Sequence, residues 1–121
     1  MGNPVVHFEI LGKDAQALQT FYRQAFDWEI GPRISGAELP TYSMVYPHGG
    51  GGIDGGIGES PEGYPGYVTF HVEVPDVAAA FRKIEELGGK VLMGPHPVPG
   101  GPTIGLFADP EQHVIGLLQS S

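Results

Sequence analysis

The second half of this chain repeats the first. A displacement of 62 positions sets Val6 on Val68, Phe8 on Phe70 and Asp14 on Asp76, with no gap through a strand and into a helix. A repeat of that length constrains the fold more than any short motif, because each copy must be one supersecondary unit. In the first copy Val5–Ile10 reads as a strand. Asp14 then N-caps a helix, with Ala15, Leu18, Phe21, Tyr22 and Ala25 at helical spacing. Strands follow at Trp28–Ile30, Tyr42–Tyr46 and Ile53–Ile57, the last two separated by the Gly49–Gly52 turn. Phe21, Tyr22, Phe26 and Trp28 are expected in the core. Gly58–Gly66 reads as an exposed linker.

The second copy has the same order. Tyr67–Val74 is a strand, and Asp76 caps a helix with the stripe Val77, Ala80, Phe81, Ile84 and Leu87. Gly88 and Gly89 end that helix. Lys90–Met93 is a strand, Pro95–Gly101 a proline-rich loop, and Thr103–Ala108 and His113–Gln119 are strands around a turn at Asp109–Gln112. The fold class is therefore α+β, two βαβββ modules at about residues 5–58 and 66–119 of one domain.

One such module covers only one face of its sheet with its helix. The other face is expected to close against the second module as half of a cup. Side chains alternate along a strand. His7 and Glu9 thus share the cup face of the first strand, as do Tyr67, Thr69, His71 and Glu73 in the second module. Val68, Phe70, Val72 and Val74 are expected to meet the helix. The polar face admits three readings: a metal site, a proton-transfer site centred on His7, Glu9 and His71, or a wet lining. Tyr42, Met44 and Tyr46 alternate on one face and either line the cup or meet a partner subunit. Tyr64 and Tyr67 raise the same choice. Aromatic walls with few polar groups suit a small-molecule ligand.

Composition excludes several classes of function. Six Lys plus Arg against fourteen Asp plus Glu give a net charge of −8 and no basic patch for nucleic acid or an acidic membrane. With no cysteine, disulfides and thiolate metal sites are out. No signal peptide or spanning segment is visible, so a cytoplasmic location is expected. The glycine run Gly49–Gly52 lacks the Lys-Ser/Thr of a phosphate loop. His48, His96 and His113 fall in or beside turns; His96 sits on a loop able to cover the cup, and His113 serves the turn after Asp109-Pro110.

The HFEI opening, the DVAAAFRKIEELGGKV helix and the closing GLFADPEQHVIGLLQ together resemble the vicinal oxygen chelate superfamily, over nearly the whole chain. That group includes glyoxalase I, extradiol dioxygenases, methylmalonyl-CoA epimerase and the bleomycin resistance proteins. The chain resembles in particular the branch of small bacterial proteins related to lactoylglutathione lyase. The resemblance implies cup-shaped sheets with helices outside, a homodimer, and one divalent metal (Zn, Ni, Mn or Fe) held by the first and last strands of each module. His7 occupies the first ligand place. The matching places are Thr69 in the second module's first strand, Gly116 in its last, and Asp54 or Gly56 in the first module's last strand. Threonine is a poor ligand and glycine none, so the metal pattern is lost at Thr69 and Gly116. His7 and Glu9, with Asp54 and His71, form a substitute ligand set; a cup without metal is the other expectation. Two functions compete. One is a lyase, isomerase or dioxygenase acting on a small oxygenated molecule. The other is a binding protein that sequesters an aromatic or antibiotic-like ligand.

Overall fold

The computed structural model describes residues 2–33, 41–47, 51–60 and 62–119. His48 and the Gly49-Gly50 half of the glycine turn lie outside these residues. The elements run β1 (Val5–Gly12), α1 (Ala15–Phe26), β2 (Glu29–Arg33), β3 (Ser43–Tyr46), β4 (Gly55–Glu59), β5 (Tyr67–Glu73), α2 (Val77–Glu86), β6 (Lys90–Pro97), β7 (Thr103–Ala108) and β8 (Val114–Gln119). This is βαβββ twice, as the repeat requires. No helix among the described residues is long and apolar enough to cross a membrane.

The chain divides into two compact units, residues 7–68 and residues 1–6 with 69–121. In the first unit the strands lie in the order β2-β3-β4-β1. β1 and β4 are parallel, while β3 runs antiparallel to both β4 and β2. In the second unit the order is β6-β7-β8-β5, with β5 and β8 parallel and the other pairs antiparallel. The two topologies are the same, and so is the register at the parallel pair. Glu9 pairs with Gly56, and His71 pairs with Gly116.

Each helix is set by its cap and packs on its own sheet. The Asp14 carboxylate accepts from the Ala17 N–H at 3.0 Å, and Asp76 from the Ala79 N–H at 3.2 Å. α1 ends where Asp27 turns left-handed and donates its N–H to the Arg23 carbonyl. α2 ends at Gly88, whose φ of 98° is left-handed, and the Gly89 N–H returns to the Ile84 carbonyl. Beneath α1, Ile10, Val45 and Ile57 are buried with Phe8, Leu18, Tyr22, Trp28 and Ile30 around them. Beneath α2 the core is Val74, Val77, Phe81 and Leu117, flanked by Val72, Ala80, Ile84, Val91 and Phe107.

Several expectations are corrected. Phe21 and Phe26 are each 59% exposed and lie outside the core. At about 100° per residue, Phe21 falls about a quarter of a turn from the centre of the Ala15–Leu18–Tyr22 stripe. Phe26, in the last turn, lies against Tyr22 and Trp28 instead of entering the sheet. Val68 and Phe70 do not meet α2; they are 71% and 39% exposed, and only Val72 and Val74 reach that core. Leu87, expected in the α2 stripe, is also exposed, because it lies at the C-cap beyond the sheet-facing turns. The segment Pro95–Pro97, read as loop, completes β6, with His96 opposite Ile104. A break in register between Met93 and His96 lets this proline-containing stretch stay paired. Gly58, read as linker, belongs to β4.

Candidate functional site

Alternation places Phe8 and Ile10 of β1 on the helix side and His7 and Glu9 on the other. The row continues across the first unit: Glu9 stands beside Gly56, and Gly56 beside Met44. Tyr42, just before β3, lies over this row. Its backbone is aimed by Thr41, which adopts a left-handed φ of 57°. Gln19 of α1 holds that turn by donating from Nε2 to the carbonyls of Thr41 (3.2 Å) and Ile57 (2.9 Å). Space for the ring comes from β4. A Cβ at Gly56 would overlap the Tyr42 Oη and Cζ, and one at Gly58 would overlap the same ring.

The Tyr42 hydroxyl lies 2.8 Å from His7 Nε2 and 3.0 Å from Glu9 Oε2. A phenol has one proton to give. When Tyr42 donates to the Glu9 carboxylate, its oxygen accepts from the His7 Nε2–H. When Glu9 is protonated the chain reverses: Glu9 donates to Tyr42, and Tyr42 to His7 Nε2. Glu9 and Tyr42 are buried, whereas His7 is half-buried.

Burial dominates the electrostatics. It pushes the Glu9 carboxyl up to about 7, against the opposing hydrogen bond from Tyr42. It holds His7 below its ordinary value, with the Asp54 carboxylate pulling the other way. It raises the Tyr42 phenol far above its usual range, helped by the Glu9 charge and hydrogen bond, so Tyr42 stays neutral. Tyr67 is pushed up to about 12 by burial, then by the charges of Glu9 and Tyr64.

In the second unit the corresponding positions are occupied differently. The Thr69 hydroxyl donates to the Val114 carbonyl at 2.6 Å. His71 is buried beside Gly116, and its ring fills the space that a Cβ at Gly116 would need. Both units therefore place a glycine in the last strand, with a ring over it: Tyr42 over Gly56, His71 over Gly116.

A divalent ion bound through His7 Nε2 and Glu9 Oε2 would sit about 2.0–2.2 Å from each. The Tyr42 hydroxyl already bridges those two atoms. Gly56, which pairs with Glu9, brings no donor atom. With Tyr42 in this position, the first unit's residues do not fit a metal held through those two atoms.

The sequence reading placed His7 and Glu9 on one polar face and gave Tyr42 either to the cup wall or to a partner contact; the first unit brings the three side chains together. Met44 and Tyr46 are half-buried, Met44 on the Glu9 row; Tyr67 is half-buried. Gln19 and Thr41 were missed, although a tyrosine followed by alternating glycines at Gly56 and Gly58 signals a ring lying on a strand. His113 serves the Asp109 turn as expected, its Nδ1 lying 3.0 Å from Oδ2 of Asp109. His96 is part of a strand and not of a covering loop. A shallow groove along α1, lined by Asp14, Ala17, Thr20, Phe21 and their neighbours, holds none of these groups.

No curated protein sequence matches the chain. Solved structures do. Methylmalonyl-CoA epimerase from Mycobacterium tuberculosis aligns with a TM-score of 0.72 at 11% identity, over 97% of this chain and 87% of that one. Streptomyces coelicolor methylmalonyl-CoA epimerase, in a complex with 2-nitronate-propionyl-CoA, aligns with a TM-score of 0.72 at 20% identity, over 98% and 95%. A superfamily member from Vibrio splendidus 12B01 aligns with a TM-score of 0.67 at 14% identity, over 98% and 100%. These likenesses show the fold. The family model for the Glyoxalase/Bleomycin resistance protein/Dioxygenase superfamily matches residues 5–117, and the chain belongs to that superfamily.

Proposed function

We propose that the protein moves a proton on a small oxygenated molecule, with the His7–Tyr42–Glu9 chain as its acid–base group. The observation that carries this reading is the hydrogen-bonded chain, in which one phenol joins a half-buried imidazole to a buried carboxyl group. A carboxyl group with its pKa near the working pH both accepts and returns a proton efficiently. In the proposed step a C–H bond next to a carbonyl breaks and its electron pair enters the carbonyl as an enolate. The proton passes into the chain and rests on Glu9. Its return to the other face, or to the adjacent atom, gives an isomerised product and restores the carboxylate. No metal is assigned to this step.

Charge narrows the substrate. The chain carries a net −8, and Glu9 is itself an anion above pH 7. Polyanionic esters such as acyl-CoA thioesters, named for the epimerase neighbours, are thus disfavoured against compact, weakly charged carbonyl compounds. The row of Tyr42, Met44 and Tyr46 supports a second reading, sequestration of an aromatic ligand without turnover. A homodimer is proposed with either reading.

Hydrogen–deuterium exchange in D2O separates the two. A panel of small 2-hydroxy-carbonyl and β-dicarbonyl compounds, with methylmalonyl-CoA as the charged member, is incubated with wild type and Glu9→Gln. Exchange next to the carbonyl is expected with wild type and is reduced roughly a hundredfold or more in the variant. Wild type that exchanges no panel member, yet binds aromatic compounds by calorimetry, would move the reading to sequestration.

A further inference from the structure

The Tyr42 hydroxyl stands where two good metal donors converge. His7 Nε2 and Glu9 Oε2 are an imidazole nitrogen and a carboxylate oxygen, the donor pair that zinc, nickel, manganese and iron share. We propose that Tyr42 is a built-in occupant of this place, a phenol that competes with a divalent ion for His7 and Glu9 and keeps the pair metal-free. This inference goes beyond the proton-transfer reading and is tested without turnover.

Three observations carry it. First, one hydroxyl engages both donor atoms, at 2.8 and 3.0 Å. These are hydrogen-bond lengths, about 0.8 Å longer than metal–ligand bonds. An ion using the same lone pairs must displace the hydroxyl. A phenol that keeps its proton is a poor ligand.

Second, β4 is shaped for the ring. Gly56 is a place from which a liganding side chain would reach this face, since it pairs with Glu9. Any Cβ there would overlap Oη and Cζ of Tyr42. A side chain at position 56 and the Tyr42 ring in this position exclude each other. The absence of a side chain at Gly56 and the presence of a phenol over it are parts of one arrangement.

Third, the ring is anchored from behind. Gln19 Nε2 ties the Thr41 carbonyl to that of Ile57, so the residue preceding Tyr42 is fixed both to α1 and to β4. An ion would have to break two hydrogen bonds of Tyr42 and move a side chain packed on Gly56 and Gly58.

The test is metal uptake by the full chain. Wild type, Tyr42→Ala, Tyr42→Phe and the double variant His7→Ala/Tyr42→Ala are stripped with chelator. Each is dialysed against Ni2+, Zn2+ or Mn2+, and elemental analysis reads bound metal. Wild type is expected to hold no stoichiometric metal. Tyr42→Ala is expected to bind about one ion per chain, roughly tenfold or more tighter than wild type. The double variant should lose that site. Wild type that binds one ion as tightly as Tyr42→Ala overturns the proposal. So does a folded Tyr42→Ala, judged by circular dichroism, that gains nothing or whose gain survives loss of His7. If Tyr42→Ala does not fold, Tyr42→Phe decides. It keeps the ring on Gly56 and Gly58 and removes only the hydroxyl that engages His7 and Glu9, so tighter binding than wild type supports the proposal and equal binding overturns it.

Discussion

Glu9 is a carboxyl group nearly sealed from water, with Tyr42 as its hydrogen-bond donor. Its raised pKa makes it a liability to stability as well as a proton store. The folded chain holds the Glu9 proton up to about pH 7, whereas the unfolded carboxyl releases it near 4.5. Between those values the folded state binds more protons, so stability falls as pH rises through that window and levels off above it. The full difference is about 3 kcal/mol. Glu9→Gln keeps an acceptor for Tyr42 and removes the charge. Relative to wild type it should therefore gain stability between pH 5 and pH 8, by up to about that amount. Urea midpoints at the two pH values measure it, and a gap that does not change with pH would refute the assignment. At this scale the sequence showed that His7 and Glu9 share a face. It did not show that Tyr42 joins them, because that contact spans 33 positions and depends on the space over Gly56.

The elements were the most legible part, since caps and periodicity are local. Asp14 and Asp76, equivalent in the repeat, each cap a helix through one backbone N–H. Asp14→Ala and Asp76→Ala should each cost about 1 kcal/mol, read as a shift in the denaturant midpoint at constant slope. Retention of full stability in both would show that packing alone sets the helix starts. Boundaries were less legible where chemistry and pairing disagree. Pro95 and Pro97 signal a loop, yet their stretch is held in β6 by pairing with β7, a partner supplied only by the fold. Phe21 and Phe26 read as core because hydrophobicity marks a burial tendency and not a direction. Around α1 the sheet accepts only a narrow stripe, and the two rings remain outside it.

For the whole molecule, the exposed aromatic and aliphatic side chains include Phe21, Phe26, Tyr64, Val68 and Leu87. Exposed apolar surface of this kind, in a chain otherwise strongly acidic, is consistent with the proposed homodimer. Light scattering at micromolar concentration should return twice the chain mass; a single-chain mass that persists at higher concentration would count against it.

The sequence by itself determined the doubled βαβββ plan, the two caps, the alternating faces of β1 and β5, and the exclusion of thiolate metal chemistry. Each of these follows from near neighbours along the chain or from composition. The tertiary structure decided which strand residues are sealed, that Tyr42 bridges His7 and Glu9, and that rings fill the space over Gly56 and Gly116. The reason is physical. Glycine in a sequence says only that a side chain is missing, and what occupies the room it leaves is settled by packing between residues far apart in the chain.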